Sequence, residues 1–425
     1  MNHLLLLQSE GKLRILKKIK RGITCHFVPY LVLFLSLITL YSCSDSGGTS
    51  PNPDFVPDIE EPETEDTPSA PELSVVVDSV FAEYDIPAMG AAIVTLDKGF
   101  TIGVAGERRI NSGVSVEVSD RWSWGSNTKA ITGFVTAKAV DMGLIEWDQT
   151  LEELFPEYLD LMREEYRSVT ISDLLTHGSG FVNTSVPGVD GQPLGNGVTP
   201  TTQRIKMFEW VIQQPPHNAK GEYYYSNLGF STIGAILERA FEMPYEKWVI
   251  ENLADYLELE NFGYGPHAEA GSNSQPVPHR LTDSEWIVWE AHENTPFRRP
   301  SGGGFGSLDD WSKILAEMMK AENGMSDYIT PEAANMLSSI KTDIPGGSSQ
   351  YSSGWIHVGA RDWAEGEAWT HAGSNGANYS IAWVGPEAGV AFLVVINARD
   401  TEGITNNATN AMVLELIDYW QEWIR

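Results

Sequence analysis

Apolar positions change their period several times along the chain, and each period predicts an element. Val75, Val76, Val77, Val80 and Phe81 recur as a first helix from about Ser74. Ala91–Leu96 and Thr101–Ala105 are short apolar runs separated by Asp97-Lys98-Gly99, the pattern of a β-hairpin. From Ser126 to about Val140 small and apolar residues return at helical spacing, with Gly143 as a stop. Ile171–Thr176 predicts a short helix that exits through His177-Gly178, and residues 181–200 read as a Gly/Pro-rich loop. A helix is predicted from Leu228 to Phe241, a long irregular wall over 261–305, and a helix over 309–322. The chain ends in strands at Tyr379–Val384 and Val390–Ile396, a turn at Gly385-Pro386-Glu387 between them, and a last helix from about Asn406 to Trp423. Neither an internal repeat nor a coiled-coil heptad is present.

Strands thus lie at both ends of the body, with a mostly helical or loop region between them. The economical fold is α+β: one antiparallel sheet joining early and late strands, flanked by the first and last helices, with a mostly helical domain inserted. A cleft between two such lobes is a favoured place for a ligand.

The amino-terminal segment follows another pattern. Six Lys/Arg between Lys12 and Arg21 precede an apolar run from about Phe27 to Tyr41, which ends at Ser42-Cys43. Roughly fifteen apolar residues fall short of the ~20 of a spanning helix, so residues 1–42 read as a cleaved signal peptide. The cysteine at the end of the run resembles a bacterial lipobox and makes Cys43 the expected lipid attachment point. Tyr41 is bulkier than the small residue usual there. Residues 44–72 hold six Pro, nine Asp/Glu and no Lys or Arg, which makes 43–73 an acidic, Pro-rich tether and 74–425 the folded body. The expected location is therefore a bacterial cell envelope, as a lipoprotein held to a membrane and facing the periplasm or the surface.

Composition narrows the chemistry. The 425 residues carry a formal net charge of −30, and from Cys43 onward 22 basic face 57 acidic residues, a balance that excludes nucleic acid as a partner. The only cysteines are Cys25 and Cys43, so the body has no thiol nucleophile, disulfide or thiolate metal site. The nine histidines show no metal-binding spacing, and Gly302-Gly303-Gly304 lacks the strand and lysine of a nucleotide loop, so neither metal nor cofactor is expected.

Three motifs carry candidate chemistry. Ser-x-x-Lys occurs at Ser9, Ser126 and Ser338, about as often as chance allows. Ser9 lies in the leader and Ser338 in a polar helix, whereas Ser126 follows Trp122-Ser123-Trp124-Gly125 and opens an apolar helix. There Ser126 and Lys129 share a face, and burial would lower the lysine pKa towards that of a base for the serine hydroxyl. Tyr225-Ser226-Asn227 sits in a turn entering a helix, where a tyrosine hydroxyl can relay a proton and an amide can hold a substrate. His371-Ala372-Gly373-Ser374 precedes a strand, and small residues there let a substrate reach backbone N–H donors. Each motif alone is also accounted for by an N-cap serine with a solvated lysine, packing aromatics beside a helix cap, or a surface histidine before a turn.

Together and in this order they resemble the serine β-lactamase and penicillin-binding-protein superfamily, most of all its class C β-lactamase, D-alanyl-carboxypeptidase and esterase branch. Leu174-Leu175-Thr176-His177-Gly178-Ser179-Gly180, Pro300-Ser301-Gly302-Gly303-Gly304-Phe305 and Tyr351-Ser352-Ser353-Gly354-Trp355 add to the likeness, which spans residues 74–423. The resemblance implies an active site in the interdomain cleft. It makes Ser126 the acylated nucleophile, Lys129 its base and Tyr225 a proton relay. Asn227, His371, Gly373 and Ser374 become substrate-binding positions, with the Ser126 and Ser374 N–H groups as the oxyanion hole. His371 stands where many β-lactamases carry lysine, and Lys220 where proline is common. A histidine, mostly neutral near pH 7, suits a substrate carboxylate less well than lysine does. The expectation is a monomeric, lipid-anchored serine hydrolase of an ester or D-amino-acid peptide, including peptidoglycan fragments. A β-lactamase, a D,D-carboxypeptidase, or a non-catalytic binding protein of the same fold are the alternatives.

Overall fold

Two hydrophobic clusters divided by a sheet organise the body. The computed structural model describes residues 70–183, 197–289 and 295–425. The leader, Cys43, most of the tether and most of the 181–200 loop lie outside the described residues. Helix α1 (Leu73–Phe81) leads into strands β1 (Ala88–Thr95) and β2 (Gly99–Gly106). Helices α2 (Thr128–Asp141), α3 (Pro200–Val211) and α4 (Asn227–Phe241) follow, then a hairpin of β3 (His279–Thr282) and β4 (Glu285–Val288). After α5 (Leu308–Glu322) and α6 (Pro331–Ser339) the chain forms β5 (Thr342–Asp343), β6 (Gln350–Ser352), β7 (Trp355–Arg361), β8 (Gly366–Ser374), β9 (Tyr379–Gly385), β10 (Val390–Ile396) and β11 (Ala398–Arg399). Helix α7 (Ile404–Tyr419) ends the fold.

The main sheet is antiparallel throughout, in the order β2-β1-β10-β9-β8-β7-β6-β5. The early hairpin meets the late strands through β1 and β10, with Met89 opposite Ile396 and Thr95 opposite Val390. Every residue of β1 is buried because both faces are covered. Met89, Ala91 and Ile93 point towards the α1/α7 layer, packed with Val77, Phe392, Val394, Met412 and Leu416. Ala88, Ala92 and Val94 point the other way, into the larger cluster with the helical region. This alternation with period two is what sets the strand's register.

The sheet, its covering helices and the inserted helical region match the α+β expectation. Three segments differ. Residues 261–305 are not uniformly irregular, since they contain the β3/β4 hairpin and the short strands Gly263–Tyr264 and Gly304–Gly306. Helix α3 begins at Pro200, where the loop was expected to end, with Thr199 capping it. Strands β6 and β7 add an edge to the sheet that the hydrophobic pattern did not mark.

Candidate active site

The serine motif lies in a buried corner built by aromatic stacking. Trp124 is stacked on Phe262 and on Trp311, each at 5.4 Å between ring centroids. The Trp124 backbone N–H donates to Gly304 O at 3.0 Å, and Thr128 Oγ1 donates to Gly125 O at 2.7 Å. These bonds hold Gly125–Asn127 as one 3-10 turn ahead of α2, which places Ser126 at the mouth of a helix buried on nearly every side. Asn127 Nδ2 donates to Ser380 Oγ, which donates to Trp124 O, both at 2.8 Å. The turn is thereby pinned to β9.

Lys129 is fully buried and has three polar neighbours: Ser126 Oγ at 3.2 Å, Asn227 Oδ1 at 2.8 Å and Ser301 O at 2.5 Å. Burial, and then the nearby Arg298 charge, hold its pKa well below the ordinary lysine range. The Tyr225 and Phe230 rings, with centroids 4.8 and 5.5 Å from Nζ, favour the cation, but desolvation is the larger effect. A neutral amine fits the geometry. Its two N–H groups serve Asn227 and Ser301, and its lone pair is left for the Ser126 hydroxyl proton.

Tyr225 donates to Ser126 Oγ at 2.8 Å. Burial raises its pKa above the ordinary value and outweighs the opposing bond to Ser126, so it stays a protonated phenol. Of the two groups at Ser126, Lys129 is thus the one whose charged form is disfavoured, and Tyr225 the one held as a hydroxyl. Ser226, rather than Asn227, caps α4, accepting from Gly229 N–H. Asn227 is left as the first helical residue with its amide turned to Lys129.

His371 is buried within β8 and is not a surface residue before a turn. Its Nδ1–H donates to Ala372 O at 2.8 Å, so Nε2 accepts from the Tyr351 hydroxyl at 3.1 Å. Burial lowers its pKa to about 3, which makes it neutral at all physiological pH. Gly373 and Ser374 run beside the serine turn. Gly125, at φ +51°, has room for no side chain, since a Cβ there would lie 2.5 Å from Ser374 N. A Cβ on Gly373 would lie 2.9 Å from Ser126 N. The two glycines thus let the backbones carrying Ser126 and Ser374 converge, as an oxyanion hole requires.

Sequence reasoning proposed Ser126, Lys129, Tyr225, Asn227, His371, Gly373 and Ser374, and the structure brings all seven together; Cys43 lies outside the described residues. Among the described residues the other Ser-x-x-Lys pair is divided between two carboxylates: Ser338 donates to Glu322 at 3.0 Å and Lys341 to Glu367 at 2.8 Å. Two contributors carried no role in the sequence reading. Ser301 acts through its backbone carbonyl. His177, buried at φ +59°, accepts the Ser226 N–H on Nδ1 at 3.2 Å and packs 4.4 Å from the Tyr225 ring. Only the Pro-Ser-Gly-Gly-Gly and Thr-His-Gly-Ser-Gly stretches marked them. Among the described residues no cluster of metal-ligating side chains occurs.

This fold is that of the β-lactamase-like serine hydrolase superfamily. The β-lactamase family model matches residues 73–415, and the chain belongs to that family. It is 22% identical over 375 residues to β-lactamase-like protein 4 of Dictyostelium discoideum, covering 80% of this chain and 62% of that one. It is 19% identical over 294 residues to protein flp of Staphylococcus aureus (strain COL), covering 68% and 56%. The chain thus spans about 60% of the length of these relatives. Among solved structures, the octameric penicillin-binding protein homologue of Pyrococcus abyssi superposes with a TM-score of 0.64, at 20% identity, over 81% of this chain and 76% of that one. The D-stereospecific amidohydrolase of a Streptomyces species gives 0.63, at 19% identity, over 80% and 98%. At these identities the structural likeness is one of fold.

Proposed function

We propose that this protein is a lipid-anchored serine hydrolase that forms a covalent ester on Ser126, with an ester or D-amino-acid peptide as substrate. The observation that carries the reading is the convergence of Lys129 Nζ and Tyr225 Oη on Ser126 Oγ, at 3.2 and 2.8 Å. Neutral Lys129 takes the hydroxyl proton as Oγ attacks the acyl carbon. The Ser126 and Ser374 N–H groups receive the developing oxyanion. As the tetrahedral adduct collapses, the bond to the leaving group breaks and the proton passes to it by way of Tyr225. Water, deprotonated by the same pair, then releases the acid. Neutral His371 supplies no cation for a β-lactam carboxylate, which favours an ester or D-peptide over a β-lactam. That a solved structure of similar fold is a D-stereospecific amidohydrolase is consistent with this choice. The anchor would be a lipid on Cys43 in a bacterial cell envelope.

Intact-mass detection of an acyl adduct from a panel of esters, D-peptides and nitrocefin tests the reading. An adduct that maps to Ser126 and is absent from Ser126→Ala is expected. No Ser126-dependent adduct or turnover with any member would overturn it in favour of a binding protein.

A further inference from the structure

The Ser301 carbonyl that receives Lys129 is not held in place by its own segment. Arg299–Gly302 make a single helical turn, whose last carbonyls find no amide of the same helix to accept. Gly304 N–H, which a longer helix would give to Pro300 O, donates instead to Thr128 Oγ1 at 3.0 Å. The two open carbonyls are met by side chains of α2. Thr132 Oγ1 donates to Pro300 O at 2.6 Å, and Lys129 Nζ donates to Ser301 O at 2.5 Å. Thr128 and Thr132 stand one turn apart on α2, so they hold the segment at Gly304 and at Pro300, on either side of Ser301. The Ser301 hydroxyl adds no hold on α2, since it donates to Arg298 O within its own segment at 2.9 Å.

The hydrogens along this contact have a fixed direction. A carbonyl can only accept, so the Thr132 hydrogen is committed to Pro300 O; the other acceptor near it, Thr128 O, is 3.4 Å away. The Tyr245 hydroxyl, 2.7 Å from Thr132 Oγ1, must then be the donor there, and the Tyr264 hydroxyl, 3.1 Å further on, donates to Tyr245. Thr132 and Tyr245 are both buried, out of reach of bulk solvent. The chain of hydroxyls therefore ends on the peptide next to the Lys129 acceptor. With one N–H on Asn227 Oδ1 and the other on Ser301 O, a neutral Lys129 has a single orientation, its lone pair facing Ser126 Oγ. A Ser301 carbonyl free to move would release the amine to turn away.

We propose that Thr132 is a positioning residue for the chemistry at Ser126: its hydrogen bond to Pro300 O holds the Ser301 carbonyl on Lys129 and so aims the Lys129 lone pair at the serine hydroxyl. The assignment rests on the Ser126 acyl-enzyme reading and adds to it a residue that bonds to neither Ser126 nor Lys129.

Thr132→Val keeps the shape and removes the hydroxyl, whereas Thr132→Ser keeps the hydroxyl. With 4-nitrophenyl acetate, Thr132→Val is expected to lower kcat/KM by about 10- to 100-fold, the scale of a catalytic group moved out of line, and Thr132→Ser to stay within about threefold of wild type. Lys129 can also be followed without turnover, by the carbon-13 shift of its Cε in lysine-labelled Ser126→Ala protein, assigned by its loss in Lys129→Met. A carbonyl stabilises the ammonium more than the amine. Loosening Ser301 O should therefore move the Lys129 titration midpoint down by about one pH unit, the scale of a hydrogen bond to a charged group. Arg298, His177, His371 and Tyr225, the titratable groups around Lys129, are the same in every variant. Tyr245→Phe separates positioning from packing, because it removes the donor to Thr132 and leaves the bond to Pro300 O. It should lower the melting temperature yet move the Lys129 midpoint by less than half the Thr132→Val shift. Equal shifts in those two variants would overturn the assignment, as would an unmoved midpoint in folded Thr132→Val, whether turnover is kept or lost. Should Thr132→Val not fold, Thr132→Ala carries the same expectations. A shifted midpoint with no wild-type turnover of any ester or D-peptide would remove the acyl-enzyme reading and keep the hold on Lys129. Turnover without the shift would do the reverse.

Discussion

Gly373 passes so close to Trp124 that a Cβ on it would sit 2.0 Å from the Trp124 carbonyl oxygen. Backbone cannot yield as a flexible side chain can, so even alanine must push β8 away from the serine turn. Gly373→Ala is expected to reduce kcat/KM by about 100-fold or more, the scale of losing an oxyanion donor. Wild-type turnover in a folded Gly373→Ala protein would show that the convergence of the two backbones is unimportant.

Lys129 and Tyr225 should be distinguishable in kinetics. Lys129→Met removes the base and should lower the acylation rate by about 10²- to 10⁴-fold. Tyr225→Phe keeps the ring and removes the 2.8 Å bond to Ser126, with a loss expected at the low end of that range. Single-turnover acylation of both variants checks the order. A larger loss in Tyr225→Phe would make the tyrosine the base.

The pH dependence of stability follows from His371. Its folded pKa of about 3 lies below the ordinary 6.5, so between these values the unfolded chain binds the extra proton. Stability therefore falls as pH drops from 6.5 towards 3, by up to about 1.4 kcal/mol per pH unit from this residue. His371→Gln should lose about 2 kcal/mol less than wild type between pH 7.5 and 5, measured by urea unfolding. Equal losses would mean that His371 is not held neutral. For the same reason kcat/KM should show no His371 limb between pH 5 and 8.

Arg204 offers a structural control. Its side chain is fully buried and pairs with Glu238 and Glu246, tying α3 and α4 to the segment that follows them. Arg204→Ala leaves buried Glu238 without a counter-charge and Glu246 with only Arg299 at 3.8 Å, and should cost about 3–5 kcal/mol. A loss under 1 kcal/mol in thermal or urea unfolding would mean that solvent reaches the pair.

Lipidation is checked separately. Metabolic labelling with a fatty-acid analogue should mark the wild-type protein, and Cys43→Ser should abolish both the label and membrane retention. A soluble, unlabelled wild type would remove the anchor from the reading.

The site was largely legible because its residues impose their own context. Ser126 stood apart from Ser338 through the tryptophans before it and the apolar helix after it, and burial of Lys129 followed from that flank. The β3/β4 hairpin was not legible. Its turn residues, Asp283 and Ser284, both have positive φ, as in a type I′ turn. The usual glycine is missing, so the signal for such a turn was absent. Ser301 escaped notice for a different reason: a backbone carbonyl has no sequence signature.

The pairing of β1 with β10 also sets a timetable. A strand at residues 88–95 gains its second neighbour only when residues 390–396 are available. The early hairpin must wait, one edge uncovered, while nearly three hundred residues emerge. Contacts so distant in sequence form slowly, because a long loop must close before they stabilise anything. The central sheet is therefore among the last parts of the body to be completed, and a chain truncated before residue 390 lacks the strand that joins the early hairpin to the late ones.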